Sequence, residues 1–505
     1  MIGIGLGILA LLLHASTAWR YGYFRDELYF IACSRHLAWG YVDQPPLVAF
    51  AAWLATPFGY HLIALRALPM LAAALAVVVA VAIARDLGGG RFAQWLAGIA
   101  VALTPAYLLL GNTLTTTSFE ALSWSLALWC CIRIVRGAGR RWWIALALAF
   151  AFGLYGKYSI ALLAVSLAAG LLLTAERRTL RTVWCPLAIA LTLALLSPNL
   201  LWQASHGWPM IEVLQGDAAH RHAFNTGLTL EYHNVARNAV AFALEQLLYT
   251  GPAAVPIWLA GVIAPFRMGS LRDLRFISIA FVALFVIAVL LEAKGYYIVG
   301  IYGALLAIGA VVVERAVQWL RVTALTAVAL VGVLTLPLSL PVLSVNGFIA
   351  YSHALGLTGR NGTPPRLMQP VYAEEFGWER LARDVAHVYE TLPPQERART
   401  AVYADTYADA GAIDLFGPRY GLPPAISSQN TYYLWGTRGY DGTTLIAIGA
   451  TRIDLLKKYY RRVTLVATSD EPLKWAVEGP APIYLCTDPI APLSQIWPNL
   501  RWYGA

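Results

Sequence analysis

LIALRALPMLAAALAVVVAVAIA, residues 62–84, decides the fold: 23 residues carry one charge, Arg66, and no polar side chain after it. Crossing about 30 Å of hydrocarbon takes roughly 20 apolar residues of helix. The sequence offers such runs again and again, approximately at 1–19, 62–84, 92–111, 115–135, 142–156, 158–174, 183–202, 238–264, 276–292, 297–313 and 322–344. Eleven transmembrane helices are expected. The fifth and sixth are separated only by Lys157, and one long helix through that residue is the competing reading.

Composition agrees. Hydrophobic residues make up 59% of the 505 and charged residues 13%, against roughly 45–50% and about 25% in ordinary soluble domains. That excludes disordered, fibrous and simple soluble chains. The apolar excess falls away after about residue 345. The expected architecture is a polytopic α-helical membrane domain over 1–345, with long loops at 20–61 and 203–237, and a C-terminal soluble α/β domain over 346–505.

Positive residues in short loops are retained on the cytoplasmic side. Loops after alternate spans hold Arg85 and Arg91, then Arg133, Arg136, Arg140 and Arg141, then Arg177, Arg178 and Arg181, then Arg267, Arg272 and Arg275, then Arg315 and Arg321. All fall on one side of an eleven-span topology, which sends both long loops and everything after residue 345 outward. The first run lacks a basic n-region and reads as a retained helix; Ser16-Thr17-Ala18 would be the cleavage site of a signal peptide. The excess of 37 Lys plus Arg over 28 Asp plus Glu sits in these short loops and forms no basic stripe, so nucleic acid is not an expected partner. Cys33, Cys130, Cys131, Cys185 and Cys486 show no metal-ligand spacing and cannot all pair with one another; no disulfide framework follows, although Cys33 with Cys486 is open as a pair if both face an oxidising compartment.

The tail alternates strands and helices. Residues 377–391 carry Trp378, Leu381, Val385 and Val388 at helical spacing; 400–404, 443–450, 463–469 and 482–486 read as strands, with a helix at 452–460. A small, largely parallel sheet is expected. The tail has no Gly-rich phosphate loop and no Asp-x-Asp, so a nucleotide-sugar site is not supported.

Ionisable groups are costly in a bilayer and default to functional candidates there. The first 345 residues contain two lysines, Lys157 and Lys294, both at outward helix ends. Asp26, Glu27, Asp43, Glu120, Glu245 and Glu292 fall on that same side. In the first outer loop Arg25-Asp-Glu opens an amphipathic helix and Pro45-Pro46 begins another, two interfacial helices. The adjacent carboxylates suit helix capping and equally a general base with a second acid beside it. Acids and lysines at a lipid–water boundary, with no nucleotide fold, suit a lipid-phosphate substrate whose departing phosphate needs a compact cation.

Over most of its length the chain resembles the bacterial relatives of the dolichyl-phosphate-mannose:protein mannosyltransferases, a group that includes the lipid A aminoarabinose transferases. The matching segments are Arg25-Asp-Glu-Leu-Tyr-Phe, Tyr41-Val-Asp-Gln-Pro-Pro-Leu, Thr117-Ser-Phe-Glu-Ala-Leu-Ser-Trp124, Gly156-Lys-Tyr-Ser159, Ser197-Pro-Asn-Leu-Leu-Trp202, Gly207-Trp-Pro209, Ala293-Lys-Gly-Tyr-Tyr297, Gly377-Trp, Ala410-Gly-Ala-Ile-Asp414 and Tyr432-Tyr-Leu-Trp-Gly436. Their order and topology carry the resemblance; no single piece is diagnostic.

The resemblance implies a GT-C-like, inverting glycosyltransferase of the bacterial inner membrane that uses a polyprenyl-phosphate-linked sugar. It implies Asp26 as general base and Glu27 as its support. Lys157, Lys294 and Arg25 are implied for the donor phosphate, Tyr296 and Tyr297 for the sugar pocket, and Glu120 for sugar or acceptor. Asp43 and Gln44 belong to the substrate-binding set. The aminoarabinose transferases place a lysine where this chain has Gln44 and a basic residue where it has Tyr29, so phosphate handling is expected to differ. No cofactor is expected; the one metal arrangement the resemblance suggests is a divalent ion between Asp43 and His220, His222 or His233. Tyr432, Tyr433, Trp435 and Tyr440 form an aromatic group, to be read as domain core or as a saccharide-stacking surface for the acceptor.

The other readings are a transporter or flippase for a lipid-linked sugar, and a non-catalytic scaffold whose tail binds glycans. Transporters place charges near the midplane on broken helices in repeated halves, and this sequence shows neither. The acceptor class, lipid, glycan or protein, has no recognisable code.

Overall fold

The computed structural model describes residues 1–220, 235–357, 370–449, 453–474 and 480–504. Packing divides the chain into two units: Met1–Trp19, Ile63–Trp202 and His222–Val342 form the first, and Arg20–Leu62, Gln203–Arg221 and Leu343–Ala505 the second. The long first loop, expected as part of the membrane domain, folds with the C-terminal residues instead.

In the first unit each expected run is helical for most of its length. Among the described residues five helices are long and apolar enough to cross a bilayer alone, and eight spans result if each bent pair counts once. The shortfall of three from eleven lies in short helices: Ile2–Thr17, Glu120–Val135 and Arg141–Gly156 have 16 residues each, about 24 Å at 1.5 Å per residue. The run 238–264, read as one span, is two helices bent by 98°. Gly251 takes a left-handed φ of 80°, and Pro252 beside it has no N–H to continue a helix. At Lys157 the chain does break: the helix ends at Gly156, Lys157 is extended (φ −159°, ψ 139°) and the next helix starts at Ile160. Helices Trp184–Ser205 and Gln318–Thr335 leave Leu187, Ile189, Leu193, Leu201, Leu330 and Val333 exposed, a surface suited to lipid tails. Gly261 and Gly309 let helices Val255–Arg267 and Tyr302–Glu314 meet backbone to backbone; a Cβ on Gly309 would lie 1.8 Å from the Ile257 carbonyl oxygen. Close approach through small residues is how helices associate where no hydrophobic effect drives them together.

The arginine-bearing loops meet at one end of this unit. Arg133 pairs with Asp86 at 2.5 Å and Arg136 with Asp273 at 2.7 Å; Glu314 accepts the Gly90 amide at 2.6 Å and Arg315 donates to Ser270 at 3.0 Å. Glu120 and Arg133 sit on the same helix, Glu120–Val135, about 20 Å apart along its axis. The lone acid therefore lies toward the end opposite the arginines.

The second unit contains a four-stranded sheet, β1 (Thr400–Ala404), β2 (Thr444–Ile448), β3 (Tyr460–Ser469) and β4 (Ala481–Pro489), in the order β1-β2-β4-β3. Only β1 and β2 run parallel; β4 is antiparallel to both β2 and β3. The largely parallel expectation is thereby corrected. A parallel neighbour needs a long crossover, and the segment between β3 and β4 is too short to hold a packed one. β1 and β2 are buried at every position, as strands covered on both faces are. Ala401, Tyr403, Leu445, Ala447 and Cys486 pack with Leu493, Ile496 and Trp497 on one face; helices Trp378–Thr391 and Tyr407–Phe416 contact the sheet as well. Cys33 and Cys486 are both buried free thiols, not a disulfide.

Candidate functional site

Each unit contributes one cluster of the residues singled out in the sequence. In the second unit the Arg25–Ser34 helix begins with Arg25, Asp26 and Glu27 in its first turn. Glu27 is fully buried, and its carboxylate accepts the Phe24 amide at 2.8 Å while its own amide donates to the Phe24 carbonyl. This is the reciprocal pattern of a capping box, with a backbone carbonyl standing in for the missing N-cap hydroxyl. Asp26 stays partly open, its side chain 28% exposed. Its Oδ1 accepts from Arg25 Nε at 3.3 Å and from the Tyr407 hydroxyl at 2.9 Å. Arg25 also pairs with Glu374 at 3.5 Å, and the Glu374 carbonyl accepts both the Arg25 amide and the Trp378 indole, which gives the Gly377-Trp378 motif a local purpose.

Tyr407 opens the Tyr407–Phe416 helix. That helix can lie directly on the Asp26 helix because Gly411 has no side chain: a Cβ there would stand 2.8 Å from the Leu28 backbone. Burial pushes the Tyr407 hydroxyl well above the ordinary tyrosine value, opposed by Arg25 and reinforced by Asp26. At neutral pH it is a proton donor to Asp26, not a phenolate.

Asp43 sits in the same unit at the end of a hydrogen-bond chain. The Val42 amide donates to Thr431 Oγ1 at 3.1 Å, Thr431 and Tyr29 hydroxyls lie 2.7 Å apart, and Tyr29 reaches Asp43 Oδ1 at 2.7 Å. Asn430 Nδ2 donates to Asp43 Oδ2 at 3.0 Å, and the Gly504 amide donating to Asn430 Oδ1 at 3.0 Å fixes which way that amide faces. The carboxyl of Asp43 is pushed up to about 7 by burial, against the Tyr29 and Asn430 hydrogen bonds and with the Asp26 charge adding to the rise. The Tyr29 ring lies tilted against that of Tyr407, with centroids 4.7 Å apart. Gln44 is buried, with Nε2 3.6 Å from Cys33 Sγ.

The aromatic group packs the unit. Tyr432 is buried, donates to Asp414 at 2.9 Å and has its ring against Tyr29 and Trp435, so it has no free face for a saccharide. Tyr433 stacks on Trp497 and Trp435 on His36; Tyr440 packs against the sheet core.

In the first unit Lys157, held extended between two helices, places Nζ 5.1 Å from the Tyr296 ring centroid and 4.3 Å from that of Tyr297. A lysine over aromatic faces keeps its charge with little solvent. Glu120 is buried at its helix N-terminus, within Coulombic reach of Lys157, and one oxygen accepts the Ser159 hydroxyl; the other has no hydrogen-bond partner among the described residues. Lys294 is exposed and precedes the short 3-10 helix Gly295–Ile301 that carries both tyrosines.

Sequence reasoning missed Tyr407, Ser159, Thr431 and Asn430. Ser159 closes the quoted Gly156-Lys-Tyr-Ser motif; Tyr407 and Asn430 stand just before two others. Among the described residues no three His, Cys, Asp or Glu side chains converge as a metal site. The histidines suggested as partners of Asp43 cannot be placed: His222 and His233 lie outside the described residues, as does the side chain of His220.

These features define a multi-pass helical membrane protein with a sheet-containing second unit. Residues 43–202 match the sequence profile of the dolichyl-phosphate-mannose-protein mannosyltransferases, so the resemblance read from the motifs is borne out. The fold is similar to that of ArnT from Cupriavidus metallidurans. The crystal structure bound to undecaprenyl phosphate is 15% identical, covers 95% of this chain and 97% of that chain, with a TM-score of 0.61. The apo structure is 14% identical over 96% and 97%, with a TM-score of 0.58. No curated protein matches the sequence.

Proposed function

We propose that the protein is an inverting glycosyltransferase that moves a sugar from a polyprenyl-phosphate donor to an acceptor hydroxyl at the outer face of a bacterial inner membrane. Lys157 over Tyr296 and Tyr297 supplies the buried positive charge for the donor phosphate, with Lys294 at the rim. Asp26, steadied through one oxygen by Tyr407 and Arg25, takes the acceptor proton through the other. The acceptor oxygen forms the new bond to the anomeric carbon as the carbon–oxygen bond to phosphate breaks from the opposite side. The bonding pair leaves on the phosphate, and the proton ends on Asp26. Asp43, Gln44 and Glu27 shape the surroundings of Asp26, and Glu120 faces sugar or acceptor.

The observation that carries this reading is Asp26: a partly open carboxylate with one oxygen tied by two donors, in a chain whose fold is that of a protein crystallised with a polyprenyl phosphate. The test is transfer of a radiolabelled sugar from undecaprenyl-phosphate-linked donors to envelope lipids, glycans or proteins by purified protein. Asp26→Asn should lower the rate by about 10²- to 10⁴-fold, the usual worth of a general base, with the protein still folded. Undiminished transfer by the variant removes the assignment.

A further inference from the structure

The first unit holds a buried acid that the mechanism above does not use. Glu245, on helix Val235–Thr250, is 6% exposed; the Gly295 backbone lies against its carboxylate, and among the described residues no side chain donates a hydrogen bond to either oxygen. Its neighbour Gln246 makes the contrast plain. Gln246 Nε2 donates to the Gly295 carbonyl at 3.0 Å and the Phe242 carbonyl at 3.1 Å, and its Oε1 accepts the Tyr302 hydroxyl at 3.2 Å. Gln246 therefore ties this helix to the Gly295–Ile301 turn through side-chain hydrogen bonds, whereas Glu245 is left with the Gly295 backbone alone. Burying a carboxylate with so little hydrogen bonding is costly, and a side chain kept at that cost is a candidate for ligand recognition.

Its surroundings say which ligand. The carboxylate rests on Gly295, where a Cβ would lie 2.0 Å from Glu245 Oε2. Gly295 stands between Lys294 and Tyr296. One helical turn along from Glu245, Tyr249 meets the Tyr296 ring edge-on at 6.4 Å, and Tyr296 carries Lys157. Asn238, two turns earlier on the same face, is buried with Oδ1 also unpartnered. Beside the two cations assigned to the phosphate, Lys157 and Lys294, there are thus acceptors for hydroxyl groups.

We propose that Glu245 accepts hydrogen bonds from ring hydroxyls of the donor sugar and is a specificity-determining residue for the donor. This rests on the glycosyltransferase reading above. A group that serves a ligand at the fold's expense leaves a signature: its neutral isostere loses recognition without losing stability.

The experiment compares purified wild type with Glu245→Gln for binding of bare undecaprenyl phosphate and of undecaprenyl phosphate carrying glucose, mannose or aminoarabinose, alongside Tm. Wild type should bind one sugar-bearing lipid more tightly than the bare lipid. The variant should lose that preference by about 10-fold or more, the worth of a charge-assisted hydrogen bond, while keeping its affinity for the bare lipid and an equal or higher Tm. A retained preference overturns the proposal. So does a fall in Tm, a failure to fold, or an equal loss of the bare lipid, each of which makes Glu245 structural. Wild type that binds none of these lipids overturns the donor assignment itself and this inference with it.

Discussion

The two clusters treat their carboxylates in opposite ways. Around Asp26 and Asp43 the chain supplies its own donors, Tyr407, Arg25, Tyr29 and Asn430, drawn from segments far apart in sequence. Around Glu120 and Glu245, among the described residues, it offers only the Ser159 hydroxyl and the Gly295 backbone in a buried setting. A self-satisfied network holds its geometry whether or not substrate is present; an unsatisfied one waits for donors that only a ligand brings. The difference fits a division in which one cluster presents a base in fixed orientation and the other binds a polyhydroxylated, phosphorylated group.

The largest effect that would break this contrast is on donor affinity. Lys157→Ala should weaken binding of undecaprenyl phosphate by roughly 10- to 150-fold, from about 1.5–3 kcal/mol for a charge-assisted contact away from water. Lys294 is exposed, so Lys294→Ala should cost about 1 kcal/mol or less. Equilibrium binding in detergent measures both. Equal losses would mean that aromatic enclosure of Lys157 has no bearing on the phosphate.

The next effect sharpens the account of the self-satisfied cluster. The carboxyl of Asp43 is raised to about 7 from an ordinary 3.8. For an acid raised in the fold, the stabilising contribution is fully present below about pH 4 and is lost as pH climbs through 7. Wild-type Tm should therefore fall between pH 5 and pH 8 by the equivalent of about 1–3 kcal/mol, allowing for partial exposure. In Asp43→Asn that slope should vanish, whatever the offset between the two proteins. A slope that persists unchanged assigns the titration to another group.

How far these features were legible in the sequence follows from their range. Residues 400–404 read as a strand because TAVYA is a short apolar run, and the helix 377–391 declared itself by period; both are local signals. The bend at Gly251-Pro252 was equally local and was overlooked inside an apolar run. Sheet direction was not local: β4 follows β3 and turns back against it, which strand content alone cannot say. Asp26 and Asp43 stood out as acids beside apolar helices, whereas Tyr407 lies 381 residues from Asp26. A tyrosine inside an α/β segment carries no mark of its partner. Burial likewise made Tyr432 core, because aromatic content does not reveal which faces are covered.

The smallest effect is the finest test of the contrast. Tyr407→Phe keeps the ring, and with it the contact with Tyr29 at 4.7 Å, but deletes the hydroxyl that donates to Asp26 Oδ1. One hydrogen bond of about 0.5–1.5 kcal/mol then goes missing from the base and from nothing that touches the donor. The turnover number for sugar transfer should fall roughly 2- to 10-fold, with the donor KM unchanged and the fold intact. A drop as deep as that of Asp26→Asn would make the tyrosine itself the proton acceptor, which its raised hydroxyl opposes. No drop at all would mean that Arg25 alone orients Asp26. A rise in donor KM would tie Tyr407 to the donor and end the separation of roles on which the comparison stands.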